Sequence, residues 1–198
     1  MLHRDAVPSG RGLGCSGPAS AALGRTAEQR SVRPKEAKVS DERRAAARVT
    51  NSYRIMTGEA RSTEELVEAG NYGYAHSCVT SENFPFRGYE LKRAREIVLI
   101  EFGHDITSEE AIAGAVQLGL ELPTYEDALY FGVQYPDVQR ETPVVFLHDP
   151  WFGYFGRWDV LCLWSNAGRR ELGLEGFDER WNRNYRFAFV RVEGDHGC

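Results

Sequence analysis

Two imidazole–carboxylate pairs are the residues of this 198-residue chain best suited to chemistry. His104-Asp105 follows one apolar run and His148-Asp149 follows another. If the two strand ends converged, two imidazoles and two carboxylates would hold a divalent metal ion and activate a water, or share a proton. His76 could join them from an aromatic loop. The plainer reading is that each Asp turns the chain at a strand end, with its carboxylate satisfying backbone amides. Asp105-Ile106-Thr107 and Asp149-Pro150 both have the composition of turns, and that reading is preferred. No catalytic residue and no cofactor is therefore assigned. A metal-dependent hydrolase using His104, Asp105, His148 and Asp149 is the alternative.

The segment "HDPWFGYFGRWDVLCLW", His148 to Trp164, concentrates six Phe, Trp and Tyr rings and the His148 imidazole around two glycines. Residues 149–157 read as the connection between two strands, and Trp151, Phe152, Tyr154, Phe155 and Arg157 are the candidate ligand-binding residues. Large rings on a short loop supply contact area at small entropic cost, which is why they mark binding surfaces. The competing arrangement folds Trp151 and Phe155 back over the core and exposes only Tyr154. Trp158, Trp164 and Trp181 read as core or sheet-packing residues whose indole N–H finds a carbonyl. Cys162, alternating with Leu161 and Leu163, reads as a small buried hydrophobe rather than a nucleophile. No Gly-rich phosphate loop follows a strand.

Charge divides the chain. Residues 1–54 hold 11 Lys/Arg against 5 Asp/Glu, and residues 55–198 hold 13 against 24. An acidic globular part repels phosphate backbones, so the expected partner is a protein or a small ligand rather than nucleic acid. Runs such as Ile97–Ile100 have a strand's length and fall far short of a membrane span. The four cysteines, Cys15, Cys78, Cys162 and Cys198, form no C-x-x-C pair and suit free thiols in a reducing cytoplasm. The expected setting is soluble and cytoplasmic, with no membrane contact.

The elements that would position these residues start after a long basic tail. Residues 1–55 lack an apolar period and read as disordered. Met56 reads as a possible translation start, with the preceding stretch a dispensable extension. Residues 56–198 form a single α+β domain. Ser62 to Glu65 and Thr107 to Glu110 are capping boxes, each opening a helix that Gly70 or Gly119 ends. In the second helix Ile112, Ala115 and Val116 form the expected buried stripe. Thr124 caps a third helix, which Pro136 terminates. Strands are expected at 95–103, 142–148, 157–164, 169–174 and 184–193. The first and last are apolar on both faces, so they belong together in the middle of one sheet.

This order of a strand, two helices and an antiparallel meander resembles the C-type lectin-like fold, with first and last strands paired. "LELPTYEDALYFG" is similar to a helix start of the formylglycine-generating, sulfatase-modifying relatives of that fold. "NYRFAFVRV" is similar to the closing strand of that group and of the retroelement-diversified binding proteins, and "YPDVQRETPVVFL" looks like a stretch found in uncharacterised bacterial proteins. The resemblance covers about residues 95–193. It implies that the connection between the second and third strands, 149–157, faces a ligand. It carries over neither calcium-dependent sugar binding nor formylglycine generation. Tyr135-Pro136-Asp137 lies at a helix end, Trp164-Ser165-Asn166 lacks the acid, and Cys162 and Cys198 are widely separated. The expectation is a non-enzymatic binding domain, with an oligomer contact as a further possible role for the aromatic loop.

Overall fold

A computed structural model gives the architecture of the compact unit Ser40–Cys198. It describes residues 47–58, 60, 62–87, 92–153 and 156–191. The chain order is β1 (Arg48–Thr57), α1 (Thr63–Ala69), β2 (Tyr74–Ala75), β3 (Arg93–Glu101), β4 (Ile106–Thr107), α2 (Ser108–Gln117), β5 (Leu120–Glu121) and α3 (Tyr125–Gln134). It continues through α4 (Val138–Glu141), β6 (Val144–Phe152), β7 (Trp158–Asn166), β8 (Arg169–Gly176), β9 (Arg180–Trp181) and β10 (Arg186–Arg191). The fold is mixed α+β, dominated by one sheet. Among the described residues no helix is long and apolar enough to cross a membrane.

The main sheet runs β1-β3-β10-β6-β7-β8-β2, with β5 beside the far end of β10. β3 and β10 pair antiparallel from Arg186↔Glu101 to Arg191↔Glu96, which unites the two doubly apolar strands. β10 then pairs parallel with β6, and β6, β7 and β8 form an antiparallel meander. Alternation along these strands builds a core on each face. Ile97, Leu99, Phe146, Leu161, Leu163, Ala188 and Val190 pack against α1 and α3. Val98, Ile100, Val145, Leu147, Val160, Cys162, Phe187 and Phe189 pack with α2 and Trp181.

The domain begins earlier than its composition suggested. Residues 48–55, expected to belong to the tail, form most of β1, antiparallel to β3 from Arg48↔Glu101 to Thr57↔Arg93. Ile55 is fully buried, and Tyr53 packs edge-on against Phe131 and Tyr135. A chain starting at Met56 would strip β3 of its outer partner, so this part of the extension is not dispensable to the sheet. The strand was hidden because only one face alternates apolar residues, among Arg, Asn and Ser. The remainder of the expected tail, residues 1–46, lies outside the described residues.

The helices start where expected. Thr107 and Thr124 each close a reciprocal capping box, with Glu110 and Asp127, while the Ser62 side chain accepts from the Glu65 amide. The stripe of α2 is rotated from expectation. Ser108, Ala111 and Ala115 are buried, whereas Val116 is 63% exposed. Small residues are favoured here because the helix lies close to the sheet: an added Cβ on Gly114 would sit 3.0 Å from the Phe102 ring.

Tyr72 and Arg170 tie the helices to the meander. The Tyr72 ring occupies space that side chains on Gly70 and Gly132 would fill, and the Arg170 guanidinium carbon lies 4.7 Å above it. Replacing Gly132 by Ala would drive a methyl group into the Tyr72 hydroxyl, so Gly132→Ala should cost about 1–3 kcal/mol in chemical denaturation. The opposite sign is expected at the β7–β8 turn. Ala167 holds φ +48 ahead of Gly168 at φ +80, a two-residue loop that favours Asn-Gly. Ala167→Asn should stabilise by about 0.5–1 kcal/mol, read as a raised midpoint with an unchanged denaturant slope.

Candidate functional site

The four residues of the imidazole–carboxylate set are not brought together. His148 packs edge-on to Phe84 and Tyr125, in the core beneath α3. His104 packs edge-on to Phe102, which belongs to the core on the other face of the sheet. Asp105 receives the Arg183 amide at 3.3 Å on its carboxylate, and its carbonyl accepts from Arg180 at 3.0 Å. It is a turn residue that holds the β9 segment. Asp149 is exposed beside the buried His148. His76 Nδ1 accepts from the Cys78 amide at 3.2 Å, a local turn contact. Among the described residues no group of three or more His, Cys, Asp or Glu is arranged to hold a metal ion.

His148 has a structural task that explains its position. Between the pairs Phe146↔Leu161 and Trp151↔Asp159, β6 carries residues 147–150 where β7 carries Val160 alone. Pro150 has no N–H for a ladder, and the extra residues bulge outward. The amide of Leu161 is left facing this gap, and His148 Nε2 accepts from it at 3.0 Å. That bond leaves the proton on Nδ1, which donates to the Asp149 carbonyl at 2.7 Å. The ring stands in for a missing strand carbonyl, with both nitrogens engaged. It is 2% exposed, and burial pulls its pKa down to about 4. Cys162 is likewise fully buried, with its thiol pKa raised by burial and then by Glu175.

The bulge lets β6 resume pairing at Trp151 and Phe152, so part of the expected loop 149–157 is strand. The Gly153 amide donates to the Arg157 carbonyl at 2.9 Å, and the Gly156 amide to the Gly153 carbonyl at 3.0 Å. Gly156 has φ +73, a conformation that favours glycine. Trp151 points into the α1/α3 face, half-buried, with its ring 5.6 Å from Phe84. Phe152 points the other way and is 55% exposed. Tyr154 and Phe155 lie outside the described residues. Arg157 pairs with Asp159 at 2.7 Å and with Glu179 at 3.3 Å, pinning the turn to the segment before β9.

Trp158 is the residue that sequence reasoning misplaced. It lies opposite Phe152, their ring centroids 4.9 Å apart, and it is 47% exposed rather than part of the core. Its position at the strand start, next to the charged Arg157, was the available signal. Trp181 does fit the core assignment, with its indole N–H donating to Ser108 Oγ at 2.8 Å. Trp164 is half-buried. The tip therefore presents a paired Phe152–Trp158 surface on a braced hairpin. Compared with protein-family models, curated proteins and solved structures, the chain finds no match.

The His148 bridge sets a pH dependence. Its ordinary pKa of 6.5 falls to about 4 in the fold, so between these values the unfolded chain binds a proton that the folded chain refuses. Stability should be unaffected above about pH 6.5, fall as the pH drops toward 4, and level off below that. The loss amounts to roughly 3 kcal/mol. Urea unfolding across this range checks it, and His148→Gln should abolish this component of the slope.

Proposed function

We propose that the chain is a binding domain whose contact surface is the tip of the β6–β7 hairpin, centred on Phe152 and Trp158 and flanked by Arg157. The observation that carries this reading is the exposed, mutually packed pair of rings, Phe152 and Trp158, set opposite one another where β6 and β7 pair. The His148 bridge and the Arg157 ion pairs hold the strands that carry the two rings, which lowers the cost of binding. The partner is a protein, because two exposed rings side by side form a patch to insert into a partner rather than a pocket that encloses a small ligand.

The C-type lectin-like topology belongs to the same proposal. It is supported by the succession of β3, α2, α3 and the meander β6–β8, with β10 returning beside β3. In that reading the β6–β7 connection is the ligand-facing one. A cytoplasmic setting is supported by the free thiols of Cys78 and Cys162.

A photo-crosslinking residue in place of Phe152, compared with one in place of the exposed Val116, tests the binding role in the native cells. A discrete adduct from position 152 alone is expected, and it should disappear with Trp158→Ala while the melting temperature stays within about 2 °C. Equal labelling from both positions, or none, defeats the proposal. An adduct of the chain with itself would make the tip an oligomer contact instead.

A further inference from the structure

The charge around the hairpin tip selects among protein partners. Register places Val160 opposite Glu175 and Asp159 opposite Gly176, and the Phe177 amide donates to the Trp158 carbonyl at 2.8 Å. Trp158 and Glu175 are thus diagonal neighbours on one face of the sheet, a spacing that long side chains bridge. Glu175 is half-buried, and among the described residues no donor hydrogen-bonds to it and no cation pairs with it. The nearby guanidinium of Arg157 is engaged by Asp159 and Glu179. Three carboxylates therefore share one cation beside the exposed rings. Burial and the neighbouring Glu179 both raise the pKa of Glu175, the mark of a negative site still short of positive charge.

We propose that the tip receives a cationic side chain, an arginine or lysine of the partner protein, placed against the Trp158 and Phe152 rings and paired with the Glu175 carboxylate. The proposal rests on the binding reading above and names the partner's chemistry. Ring faces and a carboxylate attract the same cation, the first through the quadrupole and the second through charge-assisted hydrogen bonds. Arginine also brings a planar group that stacks on the indole. The 13 Lys/Arg against 24 Asp/Glu in residues 55–198 add long-range attraction for a basic partner.

The probe is a heptapeptide with a central arginine between two leucines, beside the same peptide with neutral citrulline, at matched salt. The readout is the Trp158 indole N–H resonance of the full chain. The arginine peptide should shift it saturably, and the citrulline peptide should bind at least about tenfold more weakly. Glu175→Gln should bring the arginine peptide down to the citrulline level. Equal binding of the two peptides to the unmodified protein would overturn the cation assignment, as would an unchanged arginine affinity in Glu175→Gln. Either result leaves the tip as a contact surface. No shift with either peptide also overturns the cation assignment, and the crosslink from position 152 then decides the binding reading independently.

Discussion

The antiparallel ladder between β3 and β10 is the constraint on which the rest of the structure depends. It joins the N-terminal half to the meander, and it does so with strands that have no polar face to turn toward water. Ile97 and Leu99 face one core with Val190 and Ala188, while Val98 and Ile100 face the other with Phe189 and Phe187. Strands of that kind are stable only when covered on both sides and flanked on both edges, since every buried amide and carbonyl must find a partner. β10 meets the edge requirement with two neighbours in succession. β6 serves residues 186–188, and β5 serves Val190 and Arg191. The short β5 exists because β6 pairs only with the first half of β10.

A second constraint acts across the layers. Arg170 on β8 is buried, and among the described residues no carboxylate pairs with it, an arrangement that is costly unless other oxygens replace water. They do so from three elements. The Gly70 carbonyl ends α1, the Gly132 carbonyl lies in the last turn of α3 at 2.5 Å, and Gln139 of α4 accepts at 3.0 and 3.2 Å. The carbonyls at helix C-termini have no intrahelical donor and carry partial negative charge, so the guanidinium and the helix ends satisfy one another. Gln139 passes the connection on, donating to the carbonyls of Trp164 and Glu171. Tyr72 closes the assembly from above, which explains why Gly70 and Gly132 lack side chains. Its phenol is pushed up to about 12 by burial, so it stays neutral under the cation.

What the sequence disclosed follows from which forces act locally. Helix starts were legible because Thr107-Glu110 and Thr124-Asp127 make their bonds within one turn. The β3–β10 pairing was legible because two doubly apolar strands have few places to go. β1 was not, since Tyr53 and Ile55 acquire meaning only from the α3 residues they meet. The bulge at His148 was also hidden. An imidazole replacing a strand carbonyl depends on a register set by β7, and the same letters, His-Asp-Pro, describe a plain turn equally well. From that missed bulge came the overlong loop, which took in Trp151 and Phe152 although both belong to β6.

The treatment of the surface elsewhere gives the hairpin tip its significance. β1 is an edge strand of ten residues, a ready template for unwanted pairing. It is blunted by an irregularity between Val49 and Asn51. Gln134 exchanges both backbone bonds of Met56 at 2.8 and 2.9 Å, as a neighbouring strand would, and the Tyr135 hydroxyl donates to the Arg54 carbonyl at 2.8 Å. At the opposite side β2 adds two residues to β8. Side chains that must lie near solvent are thus used to occupy exposed backbone. At the tip the opposite holds. Beside the β6–β7 connection the Gly153 amide and the Arg157 guanidinium have partners within the chain, and among the described residues there the Phe152 and Trp158 rings stay exposed. A chain that covers its edge with a glutamine amide and a tyrosine hydroxyl leaves Phe152 and Trp158, packed on each other, about half exposed at the end of the β6–β7 pairing.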